Sequence, residues 1–291
     1  MDLQQLRYFL EIARTENITK TSEMIHVAQP ALSQTLSRLE NELGVKLFDR
    51  VGRNIHLNSN GRLLVTRAQD ALLILDNVKR ELSDFEDLFR RTIHLQILVG
   101  SSILPDLISQ FRCKYPDIQF QLSQMNPDDE YDFCITTSIN GVMPESSRLL
   151  LEEEILLAVP INHPLADQKS IILSDMREAS FLSLDHNKPL RQTTDVFCNA
   201  AGFIPHIVLE TDNPSTLRDL IATGLGVAFI PSVTWQAVKL MPAISLLHIA
   251  RPYCQRRLFI SWNHERYLTK EEHLFLDFAQ GYFDDLKRKI N

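Results

Sequence analysis

Residues Val27–Arg50 read VAQPALSQTLSRLENELGVKLFDR. Pro30 stands where the first turn of a helix tolerates proline best. Leu32, Leu36, Leu39 and Leu43 follow at steps of four, three and four, which keeps them on one side of a helix. At ~100° per residue the leucines average about 10° from Leu32, while Pro30, Gln34, Ser37 and Asn41 sit at about 160°, 200°, 140° and 180°. The opposite stripe is therefore short and polar, and Ser33 and Arg38 flank it. Small hydrogen-bonding side chains in place of the commoner Lys and Glu are what a helix needs to bring donors and acceptors close to base edges in a major groove.

The residues on either side supply a context for such a helix. Leu3, Leu6, Phe9, Leu10 and Ala13 share a helical face. Asn17 or Thr19 is placed to cap a second helix, with Met24 and Ile25 expected inward. Gly44 falls where a helix C-cap glycine would. VKLFDRVGRNIHLN then reads as strand, turn and strand, the turn at Val51-Gly52-Arg53-Asn54. Three helices followed by a basic hairpin make a winged helix-turn-helix pattern. The hairpin tip would carry Arg53 to the backbone or minor groove, and Arg50 would steady phosphates. The candidate DNA-contact residues are Thr19, Gln29, Pro30, Ser33, Gln34, Ser37, Arg38, Arg50 and Arg53.

Charge is distributed in keeping with this. The 291 residues carry a net charge of −7, yet residues 1–67 hold nine Lys/Arg against seven Asp/Glu. Between Gly44 and Arg67, Lys46, Arg50, Arg53, Arg62 and Arg67 face only Asp49. A small module that touches phosphates, joined to an acidic remainder, fits this better than a protein coating nucleic acid along its length. The composition, 44% hydrophobic and 23% charged, is that of a globular chain long enough for two domains or more. No apolar run approaches the ~18 residues of a membrane span. The N-terminus shows no secretion signal, and Cys113, Cys134, Cys198 and Cys254 form no C-x-x-C pair, so a cytoplasmic protein with free thiols is expected.

From Ser59, apolar or small residues at Leu64, Ala68, Ala71, Leu75, Val78, Leu82, Phe85 and Phe89 alternate steps of four and three. This is a seam of about four heptads. A helix of ~30 residues is ~45 Å long, and its seam calls for a partner. A homodimer would present two reading helices to half-sites ~34 Å apart. After Arg91 strands alternate with helices, IHLQILVG, ILPDLISQFRCKY, DIQFQLSQ, YDFCITT and EEILLAVP, then SFLSL, LRQTTDVFCNAAG, HIVLET, NPSTLRDLIATG, GVAFIPSV and LFISWN. A last helix runs from Thr269 to about Lys289. These are α/β units, enough for two small lobes.

The segments LQQLRYFLEIAR, VAQPALSQTLSRLENELGVKLFDR and LNSNGRLLV, followed by LAVPINHPLA and LIATGLGVAFIPS, resemble the LysR-type transcriptional regulator family in order and spacing over nearly the whole chain. The resemblance implies an α/β protein with an N-terminal winged helix-turn-helix (1–58), a dimerising linker helix (about 59–90) and a two-lobed, periplasmic-binding-protein-like effector domain (91–291). Lobe 1 would comprise about 91–159 and 264–291, and lobe 2 about 160–263, with the chain crossing near Val159-Pro160 and Asn263. It further implies a DNA-binding regulator of double-stranded DNA, dimeric and commonly paired into tetramers, answering to a small molecule held between the lobes, with no membrane role.

Strand ends that face helix N-termini favour an anionic effector. They offer Ser101, Ser102, Thr136, Thr137, Asp185, His186 and Thr211 as candidate effector residues, although each Ser or Thr could equally cap a helix. GLGVAF reverses the order of a dinucleotide fingerprint, so Gly224 and Gly226 read as turn residues. One departure from the family pattern stands out. Only QMNPDDEY (Gln124–Tyr131) separates the second strand of the domain from DFCI, where the family places a helix. The first lobe should be smaller, which leaves control by a protein partner, or by no effector, as the alternative. Some peroxide-sensing relatives use two cysteines near Cys198, but the next cysteine here is Cys254, so a buried structural thiol is the expectation. No G-x-S-x-G, H-E-x-x-H or P-loop is present, and neither an enzyme nor a cofactor is expected.

Overall fold

The structure is a computed structural model that describes residues 1–51, 54–86, 92–124, 131–138, 143, 145–235 and 244–290. It divides into two units, residues 1–87 with 265–267, and residues 88–264 with 268–291.

In the first unit α1 (Leu3–Thr15) starts with a capping box: Gln5 N–H donates to Asp2 Oδ1 at 2.8 Å and Asp2 N–H to Gln5 Oε1 at 2.9 Å. Asn17, rather than Thr19, caps α2 (Ile18–Met24). Met24 is exposed, contrary to the expected inward position. This helix has only seven residues, and Thr21 and Ser22 turn inward instead, Thr21 Oγ1 meeting Asn17 O at 2.9 Å and Ser22 Oγ meeting Thr19 O at 2.7 Å. Helix α3 (Gln29–Leu43) buries Leu32, Leu36 and Leu39 against Phe9, Ile12 and Phe48. Each such leucine contributes roughly 1.5–3 kcal/mol. Leu43, the fourth of the series, is exposed; the last buried position is Glu40. Its carboxylate accepts Lys46 Nζ at 2.6 Å and Leu47 N–H at 3.0 Å, fixing the chain just after the left-handed Gly44.

Strands β1 (Phe48–Val51) and β2 (Asn54–Leu57) pair antiparallel with Phe48 opposite Leu57 and Val51 opposite Asn54. Helix α4 (Ser59–Glu86) follows. Its first turns pack on the domain: Leu64, Ala68 and Leu72 meet Leu6 and Leu10 of α1. Two members of the expected heptad seam are thus consumed within the chain. Asn77 Nδ2 donates to Glu265 O at 2.7 Å, and its Oδ1 accepts Tyr267 N–H at 2.9 Å, which holds the segment 265–267 in this unit.

The second unit contains β3 (Thr92–Ile97), α5 (Leu104–Lys114), β4 (Gln119–Ser123), β5 (Phe133–Thr137), β6 (Ser147–Pro160), β7 (Ser170–Ile172), a 3₁₀ turn (Leu173–Met176), β8 (Ser180–Leu184), α6 (Pro189–Ala200), β9 (His206–Thr211), α7 (Pro214–Ala222), β10 (Ala228–Pro231), β11 (Ile244–Arg251), β12 (Gln255–Ser261) and α8 (Lys270–Ile290). Sequence reading did not find β7 and β11, and it began β6 six residues late. Among the described residues the main strand order is β4-β3-β5-β12-β6-β11-β7, with β10 also on β6 and with β8-β9 apart. Strands β4 and β5 both run parallel to β3. The short QMNPDDEY connection lies between them, and its residues 125–130 fall outside the described residues.

Two cores form. One gathers β3, α5, β5, the start of β6, β12 and α8 around Phe111, Phe133 and Phe275. The other gathers the end of β6 with β8, α6, α7, β10 and β11 around Phe181, whose ring stacks on Phe229 at 5.6 Å. The switch falls within β6: Ser147–Glu154 pairs with β12, and Ile155–Pro160 with β10 and β11. The chain therefore crosses at about 154–155 and returns near Cys254–Gln255, earlier than the expected Val159-Pro160 and Asn263. At the first crossing β6 is one continuous strand, so no loop marks it; the return falls in the short turn between β11 and β12, and β12 packs into the first core.

Gly224 has the positive φ (+82°) of a turn residue. Gly226 has a second role: a Cβ there would lie 2.5 Å from Ser180 O, where β8 passes. Cys198 and Cys254 are buried in the same core, and burial pushes both thiols up to about 12, far from a reactive thiolate.

Candidate nucleic-acid interface and effector cleft

In the first unit the polar stripe of α3 faces outward. Gln29, Pro30, Gln34, Ser37, Arg38 and Asn41 are exposed and Ser33 is half-buried. Among the described residues no hydrogen bond engages the side chains of Gln29, Ser33, Gln34, Ser37 or Arg38. They are available for an external partner, as groove-reading side chains must be. Thr19 is exposed at the start of α2. The backbone of Arg50 pairs with Ile55, and Arg53 lies outside the described residues.

The hairpin base is tied to the helices. Glu16, itself the left-handed C-cap of α1, accepts Leu57 N–H at 2.7 Å and meets His56 Nδ1 at 2.9 Å. The Leu57 N–H first, and the imidazole second, hold the Glu16 carboxyl below its ordinary range. Asn58 Nδ2 donates to Lys46 O at 3.0 Å while its Oδ1 accepts Gly61 N–H at 3.0 Å. The basic cluster is partly spent on this scaffold: Lys46 pairs with buried Glu40, Arg62 Nη1 donates to Leu57 O, and Arg67 stands 3.5 Å from Asp70.

On α4, Leu63, Ile74, Leu75, Val78 and Leu82 remain between 41% and 64% exposed. At ~100° per residue they occupy one continuous ~120° stripe beside the buried Ala68–Leu72 face. Leu75, Val78 and Leu82 belong to the expected seam; Leu63 and Ile74 were not foreseen.

Within the second unit a cleft of about 90 Å³ lies at the ends of several strands. Its walls include Gly100 and Ser101 after β3, Lys188 and Pro189 at the start of α6, Asp212 before α7, and Trp235 and Arg256. Of the seven expected effector residues, Ser101 borders this cleft. The other six are not part of its lining. Ser102 Oγ donates to Thr234 O, and Thr137 Oγ1 donates to Arg257 O at 2.8 Å. Asp185 accepts Asn187 N–H at 2.9 Å, with His186 Nδ1 at 3.4 Å, and Thr211 Oγ1 accepts Asn213 N–H at 3.2 Å. The Asn187 N–H chiefly, and His186 secondarily, hold the Asp185 carboxyl low. Thr136 is half-buried in β5, opposite Phe259.

Sequence reasoning missed the polar group beneath the cleft. Glu153 Oε2 accepts Val233 N–H at 3.0 Å and Thr234 N–H at 2.8 Å, while Oε1 accepts Thr234 Oγ1 at 2.9 Å and Arg256 Nε at 2.7 Å. The side chains are 0% and 2% exposed. The signal was there in three consecutive glutamates, Glu152–Glu154, inside an apolar strand, answered by Gln255-Arg256-Arg257. Glu152 and Glu154 face Arg257 and His248 at the surface, and Glu153 turns inward. Among the described residues no group of three or more His, Cys, Asp or Glu could hold a metal, and no helix is long and apolar enough to cross a membrane.

A helix-turn-helix with an outward polar reading face, joined through a long helix to a cleft-bearing α/β unit, defines a DNA-binding regulator with a sensing domain. Residues 3–62 match the family model described as bacterial regulatory helix-turn-helix protein, lysR family, and residues 87–284 match the LysR substrate binding domain. The chain belongs to the LysR family of transcriptional regulators, and it is a regulator and not an enzyme. It is 32% identical to the HTH-type transcriptional regulator YybE of Bacillus subtilis (strain 168), over 98% of this chain and 100% of that protein. It is 31% identical to the transcriptional dual regulator GltC of the same organism, over 99% of each. A solved full-length OxyR variant from Pseudomonas aeruginosa shares the fold with a TM-score of 0.67 and 22% identity, over 97% of this chain and 94% of that one.

Proposed function

We propose that a homodimer of this chain, paired into a tetramer, binds double-stranded operator DNA in the cytoplasm and changes its grip when a small anionic effector enters the cleft. The reading domain is assigned to about 1–58, the linker helix to 59–90 and the sensing domain to 91–291. Gln34 and Ser37, with Gln29, Pro30 and Ser33 beside them, read base edges; Thr19, Arg38 and Arg50 hold phosphates, and Arg53 reaches the backbone or the minor groove. The observation that carries this reading is the exposed, internally unengaged polar stripe of α3. Gln34→Ala should weaken specific binding by about 1–3 kcal/mol while sparing non-specific affinity. Titration of a fluorescent fragment flanking the protein's own gene, against a scrambled duplex, checks this. Equal losses on both duplexes would remove Gln34 from base readout.

The apolar stripe of α4 supports pairing of two chains, since an exposed strip of this length on a soluble helix marks an interaction face. Leu75→Asp together with Leu82→Asp should convert the dimer to monomer in sedimentation velocity and weaken operator binding more than tenfold. A double variant that sediments like the wild type would place the dimer contact elsewhere.

For the effector, the cleft wall at Ser101 and the uncapped start of α6 beside Lys188 support a negatively charged ligand. Ser102, Thr136, Thr137, Asp185, His186 and Thr211 stand as neighbouring candidates.

A further inference from the structure

We propose that Arg256 is the group in the cleft that receives the effector, and that the effector is a small carboxylate. This rests on the reading of the cleft as an effector site and names its chemistry.

Arg256 is almost wholly buried, and it lines the cleft. A guanidinium has five N–H donors in a rigid fork. Here Nε donates to Glu153 Oε1 at 2.7 Å and Nη2 to Thr234 Oγ1 at 2.8 Å. Nη1 makes no hydrogen bond to a described residue, and it is not one of the side-chain atoms that are sealed from solvent without a partner. It therefore opens on the space that Arg256 borders, which is the cleft. Glu153 cannot turn to satisfy it. Its two oxygens already accept four donors, which fill the capacity of a carboxylate. A charged N–H₂ with no protein acceptor among the described residues, on a side chain only 2% exposed, is poorly hydrated, and a planar double acceptor entering the cleft is what the fork fits best.

The lining of the cleft includes a second, independent set of donors. Helix α6 begins at Pro189 with no side-chain cap, and Lys188, Pro189 and Leu190 line the same cleft. Trp235 adds an apolar face, its ring 5.4 Å from the Arg218 guanidinium. At about 90 Å³ the space is well below the roughly 300–1,000 Å³ of drug-sized sites, so the acid is compact.

Full-length protein is titrated calorimetrically with acetate, malonate and succinate, and with acetamide, malonamide and succinamide, at constant ionic strength. At least one carboxylate should bind and its amide should not. Arg256→Lys, which keeps the charge and loses the fork, should weaken that carboxylate at least tenfold. Glu153→Gln, which removes the competing anion, should tighten it several-fold. A purely structural pair would shift the melting temperature in both variants and leave the carboxylate affinity alone. Should Arg256→Lys fail to fold, the double variant Glu153→Gln/Arg256→Gln, with both buried charges removed together, is read in its place and the same loss is expected. Unchanged affinity in a folded Arg256 variant overturns the assignment. So does wild-type protein that binds its flanking DNA but none of the acids, an outcome that leaves the DNA reading intact; failure to bind DNA strikes that reading instead.

Discussion

Glu153→Ala is expected to cost the regulatory unit about 3–5 kcal/mol, because removing one partner of a buried ion pair leaves an uncompensated charge. Arg256 would keep its burial and lose its counter-ion, and Val233 N–H, Thr234 N–H and Thr234 Oγ1 would lose their acceptor at the same time. Domains of this kind hold only ~5–15 kcal/mol in all. For a unit of 150–250 residues the loss corresponds to a fall in Tm of roughly 6–20 °C. Scanning calorimetry of the full chain measures it. A change below ~1 kcal/mol would mean that water replaces the carboxylate and that the site is wetter than its exposure implies.

The second large effect is expected at Gly61 in the first turn of α4. On helix propensity alone Gly61→Ala should stabilise by up to ~1 kcal/mol. The local geometry opposes this. An added Cβ would lie 2.3 Å from Leu47 O and 2.6 Å from Leu57 Cδ1. Leu47 O is not free to retreat, since it accepts Asn58 N–H at 3.1 Å, and Asn58 in turn holds Gly61 and Lys46. Overpacking of this kind costs about 1–3 kcal/mol or more, so the clash decides the sign. Urea denaturation should show a lowered midpoint, accompanied by weaker DNA binding because the hairpin base shifts. An Ala variant as stable as the wild type would show that α4 can slide away from the hairpin without penalty.

The parts of this protein that were legible in its sequence are those governed by local periodicity. Leu32, Leu36 and Leu39 declare the inner face of α3, and therefore the outer stripe, because 3.6 residues per turn is a property of the backbone alone. The C-cap at Gly44 and the strand that ends before Ser101 follow from short-range rules of the same sort. Family membership was also readable, since it is carried by whole segments in order. What escaped depends on partners distant in sequence. Leu64 and Ala68 look like seam residues until Leu6 and Leu10 of α1 claim them. Leu43 has the right spacing for the core, but Glu40 is called inward by Lys46 and the Leu47 amide. Strand β11 was missed because its neighbours in the sheet, β6 and β7, are not its neighbours in the chain. The buried carboxylate beneath the cleft escaped for a similar reason: three glutamates in a row suggest a wet surface, and only the two-residue period of a strand separates the middle one from its exposed neighbours.

Strand β6 is a single fourteen-residue strand whose first part is stitched into one core and whose last part is stitched into the other. A ribbon shared in this way resists bending across its hydrogen bonds and yields most easily to torsion about its own axis. A ligand in the cleft is therefore expected to meet stiff resistance to drawing the two halves together like a closing jaw, and to turn one half against the other instead, as the ends of a wrung cloth turn while its middle stays in place.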